Sequence, residues 1–170
     1  MKKIFIILLF FNLINSHVKS IEPDLFVQST VNKASKILSK NEKINELKKI
    51  AKETVDIKGI GLYTLGAARK NQTNENLKIY DELFEKYFLK SFSSRLAEYT
   101  NPEIDVYDKK ILNENYTMVN SLLKAKGDRP EVKIDWRIYT KNSDNPLIRD
   151  LIIEGLSLAR TQKEEFSSIL

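Results

Sequence analysis

The side chains best able to do chemistry in this sequence are acids. Asp135 stands beside Trp136, and Asp150 and Glu154 share a strand face with Ile152. A carboxyl group held in an apolar setting is raised in pKa and can serve as a general base. Such a base needs partners, and few are present. The chain has no cysteine, which excludes thiolate catalysis and cysteine metal sites. Its single histidine, His17, lies near the N-terminus, ahead of the predicted fold. Without it, Ser-His-Asp and Cys-His catalysis and the usual zinc sites lack their central residue. Gly59-Ile60-Gly61 is not a dinucleotide fingerprint, because the third glycine is misplaced and no strand precedes a helix there. Acids on strands are more often solvated or paired, here with Arg137 and Arg149 as neighbours. So empty an inventory of catalytic parts points away from an enzyme, and it calls for no cofactor.

The N-terminus has its own chemistry. Lys2 and Lys3 precede an apolar run from Ile4 to Ile14, broken only by Asn12. A helix needs about 20 apolar residues to span a bilayer, and this run is shorter. A basic start, a short apolar centre and a small-residue exit at Val18-Lys19-Ser20 describe a secretory signal peptide over residues 1–20. No cysteine follows it, so a lipoprotein is not expected. The formal charge is +5, from 28 Lys plus Arg against 23 Asp plus Glu. Losing Lys2, Lys3 and Lys19 lowers it to +2. A surplus that small is weak support for nucleic-acid binding, which calls for clustered positive charge on one face.

Residues 21–170 read as one α+β domain, with helices first and strands after. A helix begins near Pro23-Asp24, with Val27, Val31, Ala34 and Leu38 on one face. Ser39-Lys40-Asn41-Glu42 fits a capping box ahead of a second helix, whose apolar stripe is Ile44, Leu47 and Ala51. Asp56 to Gly66 has helical spacing at Ile57, Ile60 and Leu65. Its three glycines weaken a helix and permit close packing of a neighbour. Thr73 can cap the longest periodic segment. There Leu77, Tyr80, Phe84, Phe88, Phe92, Leu96 and Tyr99 step by three or four residues. Residues 74–99 would make a helix close to ~40 Å long at about 1.5 Å per residue, and Asn101-Pro102 ends it.

Beyond Pro102 the period changes to two. Strands are predicted over 103–112, 116–126, 131–140 and 147–154, with turns at Asn113–Asn115, Gly127–Pro130 and Asn142–Pro146. The third alternates most clearly, with Val132, Ile134, Trp136 and Ile138 on one face. Helical spacing returns from Leu156 to Leu170, with Leu158 and Phe166 inward. The short links favour a four-stranded antiparallel meander with one face under the helices. An aromatic stripe facing such a sheet is, on spacing alone, most often a dry core packed to normal density.

A resemblance adds what periodicity does not supply. Arg149-Asp150-Leu151-Ile152-Ile153-Glu154-Gly155-Leu156-Ser157-Leu158 resembles the signature "D-apolar-x-x-E-G-apolar-S-apolar" of MlaC-like proteins, also called toluene-tolerance proteins. Gln162 and Phe166 fall where that family continues its pattern. Leu65-Gly66, Thr73 and the aromatic helix ending Leu96-Ala97-Glu98-Tyr99 resemble its upstream run, and Val132 to Arg137 its third sheet segment. The resemblance spans about residues 24–170. The chain departs from the family's usual pattern at Pro146, commonly Trp, at Arg149, often aromatic, and in the pair Gly59 and Gly61. Most members also continue into a Gly-containing helical tail, whereas this chain stops at Leu170.

The resemblance implies an NTF2-like fold in the periplasm and a pocket between helices and sheet that holds phospholipid acyl chains, with the headgroup near solvent. It implies transfer between an outer-membrane lipoprotein complex and the inner-membrane MCE-domain protein of an ABC transporter. A monomer suits such a shuttle, because its docking surfaces must be exposed in turn. Together with the apolar periodicity, the resemblance assigns the pocket lining to Leu65, Tyr80, Phe84, Phe88, Phe92, Leu96, Tyr99, Val119, Leu123, Ile134, Trp136, Ile138 and Ile152. Two other readings stay open. One is a related hopanoid-binding protein, and the other an NTF2-like isomerase or dehydratase acting on a small apolar substrate.

Overall fold

The computed structural model describes residues 20–40 and 43–169. The expected leader, Ser20 apart, lies outside them. So do Asn41 and Glu42, which form half of the expected capping box. Ser39 instead ends the first helix, donating its hydroxyl to the Lys36 carbonyl at 2.8 Å. That helix, α1, is Pro23–Leu38, with proline in its first turn, where no amide hydrogen is missed. It buries Val27, Val31 and Leu38, while α2, Lys43–Thr54, buries Leu47 and Ala51.

Helix α3, Ile57–Leu65, runs across two glycines, and three side chains occupy the space their Cβ atoms would need. A Cβ on Gly61 would stand 2.8 Å from Cδ1 of Phe84. A Cβ on Gly59 would stand 2.5 Å from Oδ2 of Asp56 and 2.6 Å from Cζ of Arg149. Asp56 caps α3 by accepting from the Gly59 amide at 2.8 Å, and its other oxygen accepts from Nε of Arg149. The Arg149 guanidinium also lies over the Tyr139 ring at 4.8 Å. Arg149 and Gly59, read from sequence as two separate departures, are thus one feature: the glycine leaves room for the arginine. Gly59→Ala is expected to destabilise the fold by about 1–3 kcal/mol, as overpacking does. Chemical denaturation should show a smaller loss when the same change is made in an Arg149→Ala background.

A 3₁₀ segment, Gly66–Asn71, leads to α4, Asn74–Ala97. Thr73 caps α4 as predicted, accepting from the Asn76 amide at 3.1 Å. At about 1.5 Å per residue the helix is ~36 Å long. The hydroxyl of Tyr80 donates to the Gly61 carbonyl at 3.1 Å and lies 2.9 Å from that of Thr64, tying α4 to α3.

The strands are β1 Ile104–Asn113, β2 Tyr116–Leu123, β3 Val132–Tyr139, β4 Leu147–Ile153 and β5 Leu156–Ser157. Each pairs antiparallel with the next, so the sheet order is the chain order, as the short links predicted. The sequence suggested four strands and helical spacing from Leu156. Instead Leu156 and Ser157 pair back onto β4, and α5 is Leu158–Ser167. Val119, Trp136 and Leu151 lie abreast on β2, β3 and β4. Val27, Ala51, Val55, Ile60, Phe84, Ile138 and Ile148 complete the core around them. On the outer edge, Gln28 bonds the Ile104 carbonyl and the Val106 amide of β1, satisfying groups that would otherwise invite another strand. Lys109 bridges to Glu22 and Asp24, and its hydrogen bond holds the Asp24 carboxyl below its ordinary pKa.

Candidate functional site

The signature around Asp150 has a mechanical meaning. Glu154 and Gly155 have φ of 49° and 82°. They form the two-residue turn between β4 and β5, the left-handed geometry that suits a tight hairpin. Asp150 is 4% exposed. Its Oδ2 accepts from the Ser157 hydroxyl at 2.6 Å, and its Oδ1 from the Ala159 amide at 3.0 Å. Ser157 in turn caps α5, accepting from the Arg160 amide at 3.1 Å. Two of the free amides at the start of α5 are thereby satisfied, and the carboxylate meets the positive end of the helix. Arg137 stands 3.7 Å from the same carboxylate. Asp150 therefore positions a helix, and its oxygens are occupied.

The helix so positioned closes one side of a cavity of about 170 Å³ between α4, α5 and the sheet. Phe84, Phe88 and Phe92 line it from α4, Trp136, Ile148 and Leu151 from the sheet, and Val55, Ile60, Leu158 and Ala159 elsewhere. The α4 rings form a continuous bank. Tyr80 and Phe84 stack at 5.8 Å, Phe84 and Phe88 lie at 6.2 Å, and Phe88 and Phe92 stack at 5.4 Å. Phe166 of α5 meets Phe84 edge-on at 6.1 Å. The Trp136 indole is fixed by donating to the Ser121 hydroxyl at 2.8 Å. Polar residues come from the two helices, Tyr87, Ser91 and Arg95 from α4 and Thr161, Gln162 and Glu165 from α5, and join Asp150 in the lining. Tyr87 donates to Gln162 at 3.1 Å, linking α4 to α5 across the opening.

Of the thirteen residues assigned from sequence, the structure brings Phe84, Phe88, Phe92 and Trp136 to this cavity. Val119 and Ile138 are fully enclosed in the packed core, and Leu65 is buried at the end of α3. Ile134 packs against the core from β3, beside the cavity rather than on its wall. Tyr80 is held by its hydroxyl contacts, and burial raises its pKa against the lowering effect of the Thr64 hydrogen bond. Ile152 pairs with Asp135, so alternation puts it on the opposite face from Trp136 and Leu151. Tyr99 lies beyond the end of α4, with the Arg129 guanidinium over its ring at 5.2 Å. It lines a separate depression with Leu123. Leu96 lines neither. The lining residues of α3 and α5 were missed. Of these, Ile60 carried a signal in the helical spacing of its segment, and Leu158 as an inward position of the last helix.

The basic residues beside Tyr99 have a structural task. Lys126 donates to the carbonyls of Thr100 and Asn101, and Arg129 to that of Glu98, so they close the C-terminal end of α4. Among the described residues no cluster of three or more metal-ligating side chains occurs, and no helix is long and apolar enough to cross a membrane.

A family model described as "MlaC protein" matches residues 26–170. The chain belongs to the MlaC family. Among solved structures, this MlaC family member is similar to the phospholipid-binding protein from Ralstonia solanacearum, determined in complex with a phospholipid. The two share 15% identity and superpose with a TM-score of 0.72 over 88% of this chain and 87% of that one. At that identity the likeness establishes the α+β fold. No match is found among curated protein sequences.

Proposed function

We propose that the protein binds phospholipid in the cavity beneath α4, and that it carries the lipid through the periplasm between the two membranes as part of an Mla-type ABC transport system. The observation that carries this reading is an apolar cavity, walled by the Phe84–Phe88–Phe92 bank and Trp136, in a member of the MlaC family. The similar Ralstonia protein, solved with a phospholipid, supports the choice of ligand. On the same reading, residues 1–20 are a cleaved signal peptide and residues 21–170 the lipid-binding domain. The partners are an MCE-domain protein and an outer-membrane lipoprotein complex. The engagement of both Asp150 oxygens in holding the start of α5 gives this acid a structural task and favours binding over catalysis.

Magnitudes set what the cavity must do. Burying a methylene is worth about 0.8 kcal/mol, so a chain of about sixteen carbons is worth on the order of 12 kcal/mol. That favours an enclosed site over a surface groove. A cavity of about 150 Å³ holds one benzene, and the present one is of similar volume, 170 Å³. Acyl chains therefore require it to widen. The seam between α4 and α5 is the place, because its bridges are few: the Tyr87–Gln162 hydrogen bond and the contacts of Phe166. Native mass spectrometry of protein expressed into the periplasm, followed by lipid extraction, tests the reading. The expected result is one phospholipid per chain. Protein that emerges empty and takes up no phospholipid from vesicles would overturn it.

A further inference from the structure

The rim of the cavity carries charges of both signs on opposite walls. Ser91 and Arg95 lie one turn apart on α4, and Gln162 and Glu165 one turn apart on α5. Among the described residues, no carboxylate forms an ion pair with Arg95, and Glu165 pairs with no cation. Among the described residues, the Glu165 carboxylate accepts from the Gln162 side-chain amide alone, at 3.0 Å. The other cations of α5 are engaged elsewhere. Arg160 pairs with Glu164 at 2.9 Å, and Lys163 lies over the Tyr63 ring at 5.0 Å. The opening thus offers one guanidinium with a hydroxyl on one side and one carboxylate on the other, above an apolar floor.

Resting on the reading of this cavity as an acyl site, we infer that its rim selects a zwitterionic headgroup, with the lipid phosphate at Arg95 and Ser91 and its ammonium at Glu165. A guanidinium and a hydroxyl both donate, and phosphate oxygens accept from both. The opposite wall presents a carboxylate, which gains more from an ammonium than from the neutral hydroxyls of a glycerol and is repelled by a second anion. A site for anionic lipid would line both walls with cations. Arg95 and Glu165 are exposed, so each contact adds a modest increment and the discrimination is a matter of a few-fold.

The test equilibrates delipidated protein with vesicles of equal parts phosphatidylethanolamine and phosphatidylglycerol, then extracts and quantifies the bound lipid. Wild-type protein should enrich the ethanolamine lipid by about threefold, the scale of one exposed ion pair. Glu165→Lys should remove or reverse that enrichment among the lipid still bound. Arg95→Gln should lower the uptake of both classes. Melting temperatures confirm that the variants are folded. Loaded wild-type protein whose lipid matches the vesicle composition overturns the zwitterion site and leaves the acyl reading standing. So does a ratio that Glu165→Lys leaves unchanged. Uptake of neither lipid by wild-type protein overturns both.

Discussion

Phe88→Asp is expected to give a folded protein that no longer retains lipid. Phe88 is half-buried, stacks on Phe92 at 5.4 Å and faces the cavity. Its replacement removes an aromatic wall worth about 1.5–3 kcal/mol of burial. It also sets a carboxylate where acyl carbons would lie, and an unpaired charge against apolar groups adds a further penalty of several kcal/mol. Each 1.4 kcal/mol is about tenfold in affinity, so the loss exceeds a hundredfold. The helix survives because Asp lowers helix propensity by only about 0.7 kcal/mol relative to Ala. Leu83→Asp is the control. It lies on the same helix but is 59% exposed, and it should leave lipid retention intact. Trp136→Asp is the poorer experiment, since Trp136 is 8% exposed and bonded to Ser121, and its loss disrupts the core itself. Circular dichroism and lipid extraction decide the matter. A folded Phe88→Asp protein with wild-type lipid content would refute the placement of the acyl chains.

The second large effect is on stability. Asp150→Ala should destabilise the protein by about 3–5 kcal/mol, because it removes two hydrogen bonds to a buried carboxylate, each worth about 1.5–3 kcal/mol. The change strands the Ser157 hydroxyl and the Ala159 amide, and it leaves Arg137 without its carboxylate. Ser157→Ala removes the cap alone and should cost about 1 kcal/mol. The two changes share one network, so the double variant should lose less than the sum. Urea denaturation measures all three. Because α5 closes the cavity, Asp150→Ala should also expose Phe84 and Phe166, visible as dye binding before global unfolding. A loss below about 1 kcal/mol for Asp150→Ala would show that α5 is held by its packing on α3 instead.

These two predictions rest on features of different legibility. The long helix was plain in the sequence, because its seven apolar positions repeat with helical period and Thr73 and Pro102 bound it. The meander was equally plain, because alternation and turn residues are local signals. The site was legible only along α4 and at Trp136. Ile152 went to the wrong face because the register shift between β3 and β4, near Arg137, is set by pairing and not by one strand's alternation. Tyr99 fitted the stripe, yet the helix stops at Ala97, and Lys126 and Arg129 bond the carbonyls of Glu98, Thr100 and Asn101 just past its end. Those donors come from the following hairpin, remote in sequence.

The opening acids show the same division. Their types were given by the chain, and their occupation was decided by tertiary contact. Asp150, a candidate base when read alone, proves to be the anchor of α5, because the two-residue turn at Glu154–Gly155 folds Ser157 and Ala159 back onto it. The sequence by itself determined the order of elements, the family signature and the aromatic bank, all of which depend on neighbours within a few turns. Only the tertiary structure decided which apolar side chains face space and which are packed solid. Periodicity selects a face, but a cavity is what remains when facing elements fail to meet, and that depends on how far apart α4, α5 and the sheet are held.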